Sequence, residues 1–242
     1  MAGHSKWNNI KRKKEKTDAQ KGKIFTKIGR EISVAVRENG ADPAANSKLR
    51  ELILKAKSNN VPNENIERVI KKASSGEDKN NYENITYEGY GPNGIAIIVQ
   101  TLTDNRNRTA ADMRHYFDKY GGNLGTSGCV SFMFSAKGVL VFEQQNPDQD
   151  KILEDVLEAG GDDVIFEDEI ITIYTTPAAF SDVCIKLENT GYSFISQGIE
   201  QIPSSYTYLD DEESQIKMQK LLDALENNDD VLSVEHNAGV KR

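Results

Sequence analysis

Lysine and arginine gather near the start of the chain: Lys6 beside Trp7, the run Lys11-Arg12-Lys13-Lys14, then Lys21, Lys23, Lys27 and Arg30. Side chains of this kind attract phosphate through a long-ranged, salt-sensitive force that is largely indifferent to base sequence. Trp7, the single tryptophan, offers either a face on which a base stacks or a wedge that pins the arm to the domain behind it. A second polar cluster, Asn105-Arg106-Asn107-Arg108, stands at a helix start. It reads either as a further phosphate or peptide contact or as a capping loop with solvated arginines. Catalytic chemistry is not indicated. His4, His115 and His236 are scattered, and no nucleophile–base pair or metal-ligand spacing is visible. Cys129 and Cys184 lie 55 positions apart and read as small, partly buried hydrophobes. Neither an enzyme, a metal nor a cofactor is expected.

The cations belong to one segment. Residues 1–76 hold 18 Lys or Arg against 8 Asp or Glu, a net of +10, while the remainder holds 12 against 30, a net of −18. An asymmetry sustained over a whole domain points to a polyanion partner for the basic part. The acidic remainder would avoid phosphate and could contact protein. Hydrophobic content of 37% and charged content of 28% are ordinary for a globular chain. No apolar run approaches the ~20 residues of a membrane helix, and the N-terminus lacks the apolar core of a secretory signal. The cytoplasm is the expected compartment, with no membrane partner.

These residues need elements to position them. From Thr17 to Glu38, Ile24, Phe25, Ile28, Ile32, Ala35 and Val36 recur at helical spacing, which leaves Lys21, Lys23, Lys27 and Arg30 elsewhere on the helix. Asp42-Pro43 reads as the cap and first-turn proline of a second helix with Leu49, Leu52, Ile53 and Ala56 inside. Pro62-Asn63 opens a third, striped by Ile66, Val69, Ile70 and Ala73. After Gly76 the period changes to two. Strands are expected around Ile85–Glu88, Ile95–Val99 and Val130–Phe134, with a helix capped by Thr103-Asp104-Asn105 between the last two. The series Gly122-x-x-Gly125-x-x-Gly128 follows a helix and precedes a strand, the reverse of a dinucleotide fingerprint, so tight turning is its role.

Residues 137–205 read as β-α-β-β-α-β, with strands Val139–Phe142, Asp163–Phe166, Ile170–Thr175 and Ser193–Ile199. RNA-recognition modules share this order, but Tyr174 lacks the surrounding basic-aromatic pattern and Glu167-Asp168-Glu169 would repel RNA. The final helix and strand, Glu212–Leu225 and Val231–Glu235, are too little for a domain and complete the one before the insertion. The expected fold is multidomain, α and α+β: an N-terminal three-helix bundle, then two α+β domains, the ferredoxin-like one inserted in the other. The expected boundaries are 1–80 for arm and bundle, 81–136 with 206–242 for the discontinuous domain, and 137–205 for the insertion.

Several long motifs occur in order: Gly3-His4-Ser5-Lys6-Trp7, Asp42-Pro43-Ala44-Ala45-Asn46 with Leu49-Arg50, Tyr87-Glu88-Gly89-Tyr90-Gly91-Pro92, Thr103 to Thr109, and Gly121-Gly122-Asn123-Leu124-Gly125. Through them the chain resembles the YebC family over essentially its whole length. Asn39 and Asn93 stand where that family often has glycine, and Cys129 where a small polar residue is common. The resemblance implies a helical bundle followed by two nested α+β domains. It also implies nucleic-acid-linked regulation of gene expression, either as a DNA-binding transcriptional regulator or as a ribosome-associated translation factor contacting rRNA or tRNA, like a mitochondrial relative. The motif beginning almost at Met1 leaves no room for a transit peptide, so a bacterial cytoplasmic member is expected.

Overall fold

The computed structural model describes residues 18–76, 81–167 and 169–239. Among them are seven α-helices: α1 Asp18–Asn39, α2 Ser47–Ser58, α3 Asn63–Ser74, α4 Arg106–Lys119, α5 Gln149–Ala159, α6 Phe180–Asn189 and α7 Glu212–Asn227. The strands are β1 Glu83–Tyr90, β2 Ala96–Thr103, β3 Asn123–Leu124, β4 Phe134–Glu143, β5 Asp163–Glu167, β6 Ile170–Thr175, β7 Ser196–Pro203, β8 Thr207–Tyr208, β9 Val231–His236 and β10 Ala238–Gly239. The chain divides into two compact units, Met1–Asp78 with Ala136–Glu200, and Lys79–Ser135 with Gln201–Arg242.

In the first unit, α1, α2 and α3 close over Ile28, Ile32, Leu49, Leu52, Ala56 and Ile66. The second helix begins later than Asp42-Pro43 predicts. Asp42 instead anchors a turn, accepting from the amide of Ala44 through Oδ1 at 2.9 Å and from Asn46 through its carbonyl at 2.9 Å. The true cap is Asn46, 1% exposed, whose Oδ1 accepts from the Leu49 amide at 3.0 Å. Its Nδ2 donates to the carbonyls of Ala35 and Gly40 at 2.9 and 2.8 Å. Those bonds to the end of α1 fix where α2 starts.

The inserted segment forms a four-stranded sheet in the order β5-β6-β4-β7, with β6 antiparallel to both β5 and β4, the arrangement of a split β-α-β fold. Leu140, Phe142, Ile171 and Ile173 meet Ile152, Val156, Phe180, Val183 and Leu187 in its core. Leu54 of α2 joins this core rather than that of the bundle. Beside it Gln197 donates to the Leu54 carbonyl at 3.1 Å and accepts from the Cys184 thiol at 2.8 Å. Burial pushes that thiol's pKa up, so Cys184 acts as a packed donor. Tyr174 is 5% exposed and has Lys137 Nζ 5.4 Å from its ring centre, so it offers no stacking face.

In the second unit the sheet runs β3-β1-β2-β9. Strand β9 pairs antiparallel with β2, and α7 packs with α4 on one face over Ile97, Val99, Met113, Phe117 and Leu221. The terminal α-β pair thus completes the sheet begun before the insertion. A Cβ on Gly89 would lie 2.6 Å from the Asn123 carbonyl oxygen, so glycine there permits the β1–β3 pairing. Asn93 lies in the left-handed region at φ 55, a conformation in which asparagine can replace glycine. The strand expected at Val130–Phe134 does not form. Ser131–Met133 form a 3-10 turn, and β4 starts only at Phe134.

Candidate nucleic-acid interface

Lys23, Lys27 and Arg30 fall at i, i+4 and i+7 of α1, which places them in one row beside the buried stripe of Ile28, Ile32 and Ala35. Lys23 is exposed, and Lys27 and Arg30 are half-buried. Lys21 belongs to α1, but its side chain is outside the described residues, as are Lys6, Trp7, Lys11, Arg12, Lys13 and Lys14. Lys55 and Arg50 make bonds within the bundle. Lys55 Nζ pairs with Glu31 Oε1 at 2.7 Å and ties α2 to α1, and Arg50 Nη1 reaches the Pro43 carbonyl at 3.4 Å. Helix α3 adds Arg68, Lys71 and Lys72, all exposed, which the charge pattern alone did not single out. The signal for Lys71 and Lys72 was present as a basic last turn of α3.

The cluster Asn105, Arg106 and Arg108 lies at the start of α4, far from the bundle in sequence. Asn105 caps the helix, its Oδ1 accepting from the Arg108 amide at 3.1 Å. The Arg108 guanidinium binds Asp230 Oδ2 at 2.6 Å and Asp104 Oδ1 at 3.0 Å. Asp230, 5% exposed, also has Thr109 Oγ1 at 2.8 Å and Thr103 Oγ1 at 3.3 Å. Burial works against ionisation of Asp230, but the bonds from Arg108, Thr109 and Thr103 and the Arg108 charge outweigh it. Its carboxyl is held below the usual carboxylate range. Arg108 therefore locks the first turn of α4 to the loop before β9, while its side chain stays 47% exposed. Arg106 is exposed and takes no part in that lock. Asp230 could not be found from sequence, since it stands 122 positions from Arg108 and carries no local motif.

Glu88, within the Tyr87–Pro92 motif, is likewise structural. It is 4% exposed and accepts three amides: Gly128 at 2.8 Å, Val130 at 2.9 Å and Ser131 at 2.8 Å. Burial again opposes the charge, and the three amide bonds outweigh it, so the Glu88 carboxyl also sits below its ordinary range. Two amides captured in this way cannot enter a strand ladder. That is why Val130-Ser131 turn instead of pairing. The glycines of the same loop serve this turn, Gly128 with φ 88. Cys129 beside it has its thiol pKa raised by burial and by the Glu88 charge. Among the described residues, no three His, Cys, Asp or Glu side chains are placed to hold a metal ion, and no helix is long and apolar enough to cross a membrane.

Comparison with known proteins adds to this geometry. Residues 5–76 match the family model for the TACO1/YebC protein N-terminal domain, and residues 82–238 match that for the TACO1/YebC second and third domain. A "Probable transcriptional regulatory protein" of Acetivibrio thermocellus is 55% identical over 238 residues, covering 98% of each chain. One of the same description from Caldicellulosiruptor bescii is 56% identical over 238 residues, again with 98% of each chain covered. The crystal structure of a conserved hypothetical protein from Aquifex aeolicus superposes with a TM-score of 0.82 at 43% identity, covering 94% of this chain and 93% of that one.

Proposed function

The chain belongs to the TACO1/YebC family, and from that premise we propose that it is a nucleic-acid-binding regulator of gene expression whose basic N-terminal domain grips DNA. The observation that carries this reading is charge segregation: a net of +10 over residues 1–76 against −18 over the rest. The row Lys23, Lys27 and Arg30 gives part of that charge a rigid helical support. Lysine and arginine on one helix row suit phosphates spaced along a backbone, and phosphate contacts position a protein without specifying sequence. Close relatives described as probable transcriptional regulatory proteins support DNA as the polyanion. We assign Lys6, Trp7, Lys11, Arg12, Lys13 and Lys14, with Lys21, to the same task of binding phosphate. Asn105, Arg106 and Arg108 are a second candidate contact, now narrowed to Arg106 and the exposed edge of Arg108.

The same row would equally serve rRNA or tRNA on the ribosome, because it presents charge rather than a base-reading helix. Anisotropy titrations of the full chain against duplex DNA and against a structured RNA of equal length, from roughly 50 to 200 mM salt, separate the two. Affinity should fall with salt. Replacing Lys11, Arg12, Lys13 and Lys14 by Ala should flatten the slope by about 0.7–0.9 for each phosphate that the variant no longer neutralises. Binding to neither polyanion would end the proposal. In cells, crosslinking followed by sequencing should enrich promoters for a transcriptional regulator, whereas enrichment of rRNA or tRNA would assign the protein to translation.

A further inference from the structure

Helix α5 carries a second apolar row that the core of its domain does not use. Ile152, Val156 and Ala159 are buried against the sheet. Leu153 and Leu157, four residues apart and so stacked on one flank, are 40% and 70% exposed. On the opposite flank Asp155 Oδ2 accepts the Tyr192 hydroxyl at 2.7 Å, and Tyr192 closely follows α6. The leucine row is therefore turned away from α6. Next to it around the helix come Asp150, Glu154 and Glu158, all exposed. Residues 148–169 together hold ten acidic side chains and one lysine.

A solvated helix position is filled as well by Glu, Lys or Gln as by Leu, so helix formation does not require these leucines. Single exposed leucines are commonplace, but a stacked pair framed by carboxylates is a surface of defined chemistry. We propose that this face of α5 docks a lysine- and arginine-rich amphipathic segment of a partner protein, its apolar side chains on Leu153 and Leu157 and its cations on Asp150, Glu154 and Glu158. Charge selects among occupants. A phosphate backbone is repelled, and a second copy of this face would set acid against acid. The surface is independent of the basic domain's reading, and either can fail alone.

The test uses the full chain with labelled leucine methyl groups, titrated with a synthetic helical peptide of Lys, Ala and Leu whose leucines are spaced i, i+4. A scrambled peptide of equal composition is the control. The Leu153 and Leu157 methyls should shift with the ordered peptide, and its affinity should fall about tenfold or more in the Leu153→Asp, Leu157→Asp double variant. Both side chains are exposed, so circular dichroism and nucleic-acid affinity should be unchanged. Equal affinity for the scrambled peptide, or for the double variant, would reduce the effect to general charge attraction and overturn the proposal. A dimer in sedimentation that Leu157→Asp dissolves would overturn it too, by showing that a second copy occupies the face.

Discussion

Two clusters of cations read alike in the sequence and differ in the fold. On α1, Lys23, Lys27 and Arg30 lie along one row beside the bundle's buried stripe. At the start of α4, Arg108 is committed to a carboxylate that is 5% exposed. The contrast teaches that an arginine in a motif cannot be assigned to a ligand until its counter-charge is located. Here that counter-charge arrives from the far end of the chain, on the loop that leads into β9. An arginine with this partner first holds a discontinuous domain together, and only its exposed remainder is available to anything else.

The largest expected effect breaks the lock from its acidic side. Asp230→Ala leaves Arg108, Thr103 and Thr109 without their shared acceptor. Arg108 is half exposed and turns to water, so the cost falls below the ~3–5 kcal/mol of a fully buried pair, at about 2–3 kcal/mol in urea unfolding. The reciprocal Arg108→Ala leaves Asp230 buried without its cation, and its penalty depends on pH. In the wild type the Asp230 carboxyl is held below its ordinary value. The stability it contributes is therefore fully present above the unfolded carboxyl pKa of about 4 and is lost as pH falls through the lower folded value. The gap between wild type and Arg108→Ala should accordingly narrow below about pH 4. A gap that widens there would show that Asp230 is not the group being relieved.

Glu88→Gln comes next, because Gln keeps one acceptor but turns a donor toward the amides of Gly128, Val130 and Ser131. About 1–2 kcal/mol of destabilisation is expected, together with faster hydrogen exchange at those three amides. Unchanged exchange would show that the loop does not depend on the carboxylate. On the other side of the comparison, replacing Lys23, Lys27 and Arg30 by Ala should act first on nucleic-acid binding. It should lower the salt slope of nucleic-acid binding by about 0.7–0.9 for each of the three that touches phosphate. A large loss of stability with an unchanged slope would move this row into the class of Arg108.

The sequence made visible what has a short period. The three bundle helices, the β-α-β-β-α-β order and the Asn105 cap were legible because each is written in neighbouring residues. What was not legible depends on distant partners. Asp42-Pro43 is a sound helix start by local rules, yet Asn46 supersedes it through two bonds to the carbonyls of Ala35 and Gly40. Val130–Phe134 is a sound strand by composition, yet Glu88, more than forty residues earlier, captures two of its amides. Leu54 lies off its helix's stripe because it fills the core of the inserted domain. The cation row was legible as charge and unreadable as geometry until α1 was in place.

Arg106 gives the smallest effect and the sharpest test of the comparison, since it shares Arg108's motif without sharing its lock. It is exposed, at the first position of α4, where Asn105 already supplies the cap. Arg106→Ala should therefore leave unfolding within experimental scatter, because surface substitutions away from caps and buried partners rarely matter. Its effect on binding then has a clean meaning. If nucleic-acid affinity drops while stability holds, the α4 start is a second contact, and the motif divides into one arginine for the fold and one for the ligand. If both are unchanged, the motif is a capping device throughout, and the basic N-terminal domain alone carries the polyanion.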